Sequence, residues 1–457
     1  MELTRRPGTA AARPDARLLG AILFAAACAG PGAPAPSPPV SDSVRAVNEA
    51  AERYVRLVLA VGQHDANYVD AYYGPPEWKK EAEAARRPLA EIRPEAASLA
   101  ARLRGEPTPA GEMERLRERF LARQLEALVA RAEILSGRKM SFDDESRALY
   151  DAAAPVHTDE HFRKLRERLE GELPGPGPLI DRYDAFRKSF VIPPGKLDAV
   201  FQAAVAAARE RTLQHISLPP GESFTVEYVT GKSWSGYNWY QGNYRSLIQV
   251  NTDLPIYIDR AVDLACHEGY PGHHVFNVLL EKNLVRDRGW IEFQVYPLFS
   301  PESLIAEGSA NFGIEVAFPG EARVAFERGT LYPLAGIDPA RAEKYDRVRS
   351  LVEALSYAGN EAARRYVNGQ IDEKAAAAWL TEYALASPAR AEQRVRFIGQ
   401  YRSYVINYNL GKDIVRRWIE AQGGTADRPE RRWEAFERLL SAPMLPSELM
   451  AGLPPAA

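Results

Sequence analysis

The chain has 457 residues, 46% of them hydrophobic, with a formal net charge of −3 at pH 7. That length and apolar content suffice for one large two-lobed unit or two domains, and the balanced charge, without a basic stripe, disfavours nucleic acid as a partner. Only two cysteines, Cys28 and Cys266, are present, so a hydrophobic core rather than disulfides must hold the fold.

The amino terminus carries Arg5, Arg6, Arg13 and Arg17 ahead of a short apolar run at residues 18–27, followed by Cys28. A basic start and a run too short to span a bilayer read as a secretory signal over residues 1–27. Small residues directly before a cysteine are similar to the bacterial lipobox, so Cys28 is expected to be lipidated and to hold the protein to the membrane of the cell envelope. A plain secreted form is the alternative, because Ala25 stands where a leucine is usual. Residues 28–43 then comprise the anchor and a Pro-rich, semi-rigid spacer. No later stretch is long and apolar enough for a second span.

Residues 44–178 read as a helical N-terminal lobe, with amphipathic Ala-, Arg-, Glu- and Leu-rich runs such as residues 113–125. Residues 68–75 end an early helix and are expected to pack the lobes together rather than reach a cleft. The Pro/Gly-rich residues 171–178 break the helical pattern and mark the lobe boundary. Residues 179–457 form the second lobe, with strand-like segments at residues 223–229 and 244–251. Trp234, Tyr237, Trp239 and Tyr240 lie between them and either line a cleft or cap a small sheet. A strand at that position can take an extended peptide by edge pairing. The expected fold is mainly α with a small β-sheet near the active site, in two helical lobes around a cleft.

The densest chemistry is His267-Glu268-Gly269-Tyr270-Pro271-Gly272-His273-His274, three of only seven histidines in the chain. Imidazole is the commonest protein ligand for zinc, and a glutamate beside the first ligand is where a metallohydrolase keeps its general base. The spacing departs from H-E-x-x-H, because position i+4 is Pro271. On an unbroken helix the i+6 residue lies about 120° round the axis and the i+7 residue about 10 Å along it, so neither could join His267 on one ion. Pro271 and Gly272 supply the correction if they form a two-residue excursion. His273 then takes the place of the second ligand and His274 turns toward the substrate cleft; the reverse assignment, with His274 as ligand, stays open. A catalytic zinc needs a third protein ligand. Glu307 is the best candidate, on a Ser-Pro-initiated helix among small residues, ahead of Glu302 and Glu315.

Asp263, four residues before His267, is a candidate to orient that imidazole from the second shell. Cys266 points about 100° away from His267 and reads as a buried thiol. His64, His157, His161 and His215 read as ordinary histidines, with the i, i+4 pair His157/His161 a weak second suspect. Tyr401, Tyr404 and Tyr408 form one helical stripe. Arg402 beside them is a candidate for a substrate carboxylate.

The string H-E-x-x-P-G-H-H, the Asn251-Thr252 pair before it, Glu307-Gly308-Ser309-Ala310 and the late Tyr408-Asn409-Leu410-Gly411 resemble the DUF885 family of bacterial, mostly helical proteins similar to zincin metallopeptidases. The resemblance runs from about residue 47 to 449, and Ser309 departs from it where the family usually has Trp. It implies a zincin-like architecture, Glu307 as third ligand with His267 and His273 to one zinc per chain, and Tyr408 as a catalytic donor. Glu268 would then be the general base for attack of water on a carbonyl. Donors to the oxyanion would be Tyr408, His274 or Tyr270, in that order, with Tyr270, Arg402 and Tyr404 contacting a peptide or small amide substrate. The expected function is zinc-dependent hydrolysis of peptides or related amides in the bacterial cell envelope. The alternatives are a binding or structural lipoprotein on the same scaffold, for which a retained Glu268 has no use, and a hydrolase of non-peptide amides or esters.

Overall fold

Apolar side chains at helical spacing begin the fold: Val47, Ala50, Ala51, Tyr54, Val55 and Val58 lie on one face of the helix Asp42–Val61 and are all buried. This stripe packs on Leu89–Gly105 and Glu112–Leu135, whose Leu99, Leu103, Phe120, Leu121, Leu125 and Leu128 answer it. A fully buried side chain of this kind contributes about 1.5–3 kcal/mol. The computed structural model describes residues 42–105 and 109–453. The signal, Cys28 and most of the Pro-rich spacer lie outside the described residues.

Buried charge ties the first helices to the rest of the chain. Arg117 is 3% exposed and donates through Nη2 to Glu292 Oε2 at 3.0 Å, while Arg131 pairs with Asp65. Removing one partner of such a buried pair costs roughly 3–5 kcal/mol, because the other charge is left without compensation.

The chain is mainly helical with two small sheets. Five strands occur among the described residues: β1 (Val69–Tyr72), β2 (Ser223–Val229), β3 (Gly236–Gly242), β4 (Arg245–Asn251) and β5 (Val295–Pro297). β1 pairs antiparallel with β5. The other sheet has order β2-β4-β3, with β4 parallel to β2 and antiparallel to β3. The aromatic segment expected between strands is therefore itself a strand, with Asn238 and Tyr240 buried and Trp239 exposed. Its hairpin turn, Gly242-Asn243-Tyr244, holds φ of 73°, 54° and 61°, and the carboxylate of buried Glu281 accepts from the N–H groups of Asn243 and Tyr244 at 3.2 Å each and from Tyr240 Oη at 2.6 Å. Because β4 is central, the strand edge beside the site belongs to β3.

Residues 174–178 form the link from the helix Asp159–Glu172, capped by Leu173, to the helix Leu179–Arg187. Phe162, Leu169 and Leu173 before it share one small core with Leu179, Val348, Leu355 and Tyr383 after it. The described residues form one compact unit. At its centre runs Pro301–Ala317, buried along most of its length, against Ile406–Ala421.

Candidate functional site

The backbone around the histidine motif is a broken helix. Asp259–Leu264 is α-helical, Ala265–Gly269 widens into a π turn, Tyr270 is extended at φ −113° and ψ 116°, and a new α-helix starts at His273. Pro271 has no N–H to continue the ladder. The Tyr270 N–H reaches back to Ala265 O at 3.0 Å and that of Gly272 to Cys266 O at 2.9 Å, spans of five and six residues instead of four. A Cβ on residue 272 would fall 2.0 Å from His267 O, so the close approach requires glycine there. The surplus residues are thus taken up by a break, not by an excursion within a continuous helix. His267 and His273 end edge to face, with ring centroids 4.6 Å apart and Nε2 atoms 3.2 Å apart.

Glu307 arrives from Pro301–Ala317. That helix meets Ile406–Ala421 backbone to backbone: a Cβ on Gly308 would lie 2.4 Å from the Gly411 carbonyl carbon, and one on Gly411 would lie 2.7 Å from Leu304 O. The small residues beside Glu307 thus serve contact with the Tyr408 helix. Glu307 Oε2 stands 3.3 Å from His267 Nε2 and 3.6 Å from His273 Nε2. It is buried and has no partner apart from the two imidazoles, while Oε1 accepts from Tyr404 Oη at 2.7 Å. Donor atoms held about 2.0–2.2 Å from a tetrahedral ion are spaced roughly 3.3–3.6 Å apart, and the three atoms form a triangle of 3.2, 3.3 and 3.6 Å. Glu268 competes for the third position, with a carboxylate oxygen within 4.8 Å of the ring nitrogens. The shorter distances favour Glu307 and leave Glu268 free.

Asn311, one turn beyond Glu307, fixes the first imidazole. Its Nδ2 donates to Tyr408 O at 3.0 Å, which leaves Oδ1 to accept from His267 Nδ1 at 3.2 Å. Nδ1 then carries the proton and Nε2 keeps its lone pair toward Glu307.

The field at this point is negative. Burial would raise the Glu307 carboxyl, but the two imidazoles hold it well below the usual carboxylate range. Burial would lower His273, yet the Glu307 hydrogen bond and the charges of Glu307, Glu268 and Asp70 raise it to about 9. Burial lifts Asp70 to about 7, tempered by His273 and reinforced by Glu307 and Glu268. Three carboxyl groups around two imidazoles suit an added cation, which would in turn reverse the local protonation preferences.

The triangle opens into a cleft of about 950 Å³. Glu268, only 4% exposed, lines it, and its carboxylate makes no hydrogen bond or ion pair among the described residues. Gly236 of β3 faces that carboxylate, where a Cβ would sit 2.7 Å from Oε1. Tyr408 also lines the cleft and its hydroxyl has no hydrogen-bond partner among the described residues. Burial, then the charge of Glu307, pushes the Tyr408 and Tyr404 phenols well above 10, so both remain protonated donors at neutral pH.

Five sequence expectations need correction. His274 does not face the cleft: it is 0% exposed, and the break turns it toward β4 and the segment before β2. Burial pushes Glu222 up, but hydrogen bonds from His274, Tyr270 and Arg209 hold it down at about 2. As an ionised acceptor it receives a hydrogen bond from His274 Nε2–H at 3.0 Å, while Nδ1 accepts from Ser246 Oγ at 2.9 Å. Neither nitrogen is left for a metal or a substrate. Tyr270 lies in the same buried network, donating to Glu222 Oε2 at 2.6 Å, and does not contact the cleft. Arg402 is turned away by its left-handed backbone, φ 52°, and pairs with Glu145 at 2.6 Å. Tyr404 lines the cleft, but its hydroxyl is spent on the Glu307 carboxylate. Asp263 is taken by Arg323 at 2.8 Å and Arg260 at 3.2 Å, leaving Asn311 to orient His267.

Asp70 and Arg394 on the cleft wall were missed, as was Asn311, for which the i+4 spacing from Glu307 was an available signal. Residues 68–75 thus reach the cleft through Asp70, which accepts a hydrogen bond from Tyr237 Oη. Cys266 is a buried thiol. His157 and His161 stack at 4.4 Å, and no third ligand joins them among the described residues.

No family model and no curated protein matches this chain. Solved structures overlap with it in part. Two are named as putative lipoproteins: one from Colwellia psychrerythraea, at 15% identity and TM-score 0.48 over 88% of this chain and 74% of that one, and one of unknown function from Shewanella oneidensis, at 12% and 0.43 over 86% and 82%. A protein called BsuCP overlaps at 10% identity and TM-score 0.46 over 87% of this chain and 90% of its own. Overlaps this distant assign no chemistry to the present chain.

Proposed function

We propose that this protein is a zinc-dependent hydrolase of peptides or related amides, a zincin-like relative of the DUF885 family that works in the bacterial cell envelope. The observation that carries the reading is the 3.2, 3.3 and 3.6 Å triangle of His267, His273 and Glu307, with a buried Glu307 oxygen that has no other partner. Two neutral imidazoles and one carboxylate are a catalytic zinc set with one position left open. The envelope location rests on residues 18–27 and Cys28. Among the described residues no helix is long and apolar enough to cross a membrane.

When bound, the ion supplies Lewis-acid polarisation of water and of the scissile carbonyl. Glu268 takes a proton from the attacking water as its oxygen bonds to the carbonyl carbon. The same carboxyl then delivers that proton to the leaving nitrogen as the C–N bond breaks, giving a carboxylic acid and an amine. A positioned base of this kind contributes about 10²- to 10⁴-fold. The Tyr408 phenol donates to the oxyanion that develops on the carbonyl oxygen. Asn311 and Tyr404 keep His267 and Glu307 oriented, and β3 offers an edge to an extended substrate.

Zinc content of the purified protein, with absorption spectroscopy at the zinc edge, tests this reading. One zinc per chain is expected, with nitrogen and oxygen neighbours and no sulfur. His267→Ala and His273→Ala should each lose it, and His274→Ala should keep most of it. Retention in His273→Ala with loss in His274→Ala would contradict the assignment.

A further inference from the structure

Six arginine and lysine side chains line the cleft among the described residues, and four of them are answered by carboxylates: Arg260 and Arg323 by Asp263, Arg349 by Asp346 and Glu353, Lys412 by Glu315 and Glu353. The other two share one face of the helix Pro388–Tyr401, a turn apart. Arg390 gives one N–H to Pro255 O at 2.8 Å. Arg394 makes no hydrogen bond or ion pair among the described residues; its guanidinium lies against two ring faces, 4.9 Å from the centroid of Phe397 and 5.6 Å from that of Tyr408. Ring faces satisfy none of its five N–H donors, and the group does not deprotonate. Burial disfavours the charge on both arginines, whereas carboxylate neighbours raise Arg323, Arg349 and Lys412. The wall therefore holds a half-buried, forked cation whose anion is not supplied by the protein.

Its place relative to the candidate metal centre is close. Arg394 stacks on Tyr408, Tyr408 is 5.8 Å from Tyr404 by ring centroid, and Tyr404 donates to Glu307. Arg394 feels the Glu307 charge and lines the same cleft as the triangle, so one extended substrate in that cleft can place an anion on Arg394 and a carbonyl at the triangle. Asp70, Glu268 and Glu307 repel a carboxylate arriving without such a cation.

We propose that Arg394, supported by Arg390, is the seat of the substrate's C-terminal carboxylate, so that the enzyme trims from a free C-terminus rather than cutting within chains. This rests on the hydrolase reading above and names the substrate class for that site.

The test is calorimetric binding of three probes to the zinc-loaded protein: N-acetyl-L-phenylalanine, its amide, and N-acetyl-L-glutamate α-amide, which carries only a side-chain carboxylate. Wild type should prefer the phenylalanine acid over both amides. Arg394→Ala should weaken the acid roughly 10- to 100-fold with the amides unchanged, as loss of a charge-assisted fork implies. Arg394→Lys, which keeps the charge without the fork, should fall between, and guards against a folding defect in the alanine variant. Acid binding through the ion alone would survive Arg394→Ala and overturn the proposal. Equal binding of the glutamate amide would move the anion to a substrate side chain and overturn C-terminal trimming. A mixed peptide pool separates the two readings. Internal cleavage without acid preference removes the carboxylate seat and keeps the hydrolase; acid preference lost in Arg394→Ala, without digestion of any peptide, keeps the seat and removes the hydrolase.

Discussion

Glu222 shows how much of the site depends on a residue outside the cleft. It gathers His274, Tyr270 and Arg209 behind the helix break, at 3.0, 2.6 and 2.5 Å, and so pins the start of the helix that carries His273. Its carboxyl, held at about 2 in the fold, lies below the ordinary glutamate value of about 4.5. Its stabilisation is therefore fully present above about pH 4.5 and lost as the pH falls through about 2. Glu222→Gln should cost about 1–3 kcal/mol at neutral pH and flatten the loss of stability between those limits. Equal acid sensitivity in denaturant melts of the two proteins would show that Glu222 has no such role. At this scale the sequence was readable for the grouping of His267, Glu268, His273 and Glu307 along one cleft wall. It was misleading for His274 and Tyr270, which the helix break turns onto Glu222, and for Asp263, placed by its four-residue spacing from His267 but taken by Arg323 and Arg260. Asp70 was unreadable for a different reason. Its approach depends on β1 pairing with β5, more than 200 residues away in the chain.

Among elements, the contact of Pro301–Ala317 with Ile406–Ala421 decides whether the site exists, since one helix brings Glu307 and Asn311 and the other Tyr408. Gly308→Ala would place a methyl 2.4 Å from the Gly411 carbonyl carbon. The helices must separate, at a cost of about 1–3 kcal/mol for an overpacked contact, and zinc affinity should fall with stability. Denaturation together with metal titration measures both, and unchanged values in Gly308→Ala would mean that the contact is looser than described. The helical character of residues 44–172 was legible from amphipathic spacing. β3 was not, since its aromatic residues suit a strand and a cap equally well, and only the left-handed turn at Gly242-Asn243-Tyr244 returns the chain as a hairpin.

For the whole molecule, the sequence reading placed a lobe boundary at residues 171–178, whereas the helices on either side pack into one small core with Val348, Leu355 and Tyr383. A Pro/Gly-rich loop reports a break in local structure and carries no information about which core its flanks join. Residues 1–41 lie outside the described structure, and there the reading stays with the sequence. Cys28→Ser should shift the protein from the membrane to a soluble envelope fraction, and a wild type that is already soluble and cleaved away from Cys28 would leave simple secretion. The central claim is that a cleft holding a metal triangle and an unengaged Glu268 hydrolyses amides. Turnover per bound zinc, compared between wild type and Glu268→Gln on a mixed peptide pool, tests it most directly. The substitution removes a charge at constant shape beside an intact ligand set, so zinc should be retained while turnover falls roughly 10²-fold or more. Equal turnover in the two proteins, or none in either with zinc bound, would contradict the account and favour a binding lipoprotein built on the same scaffold.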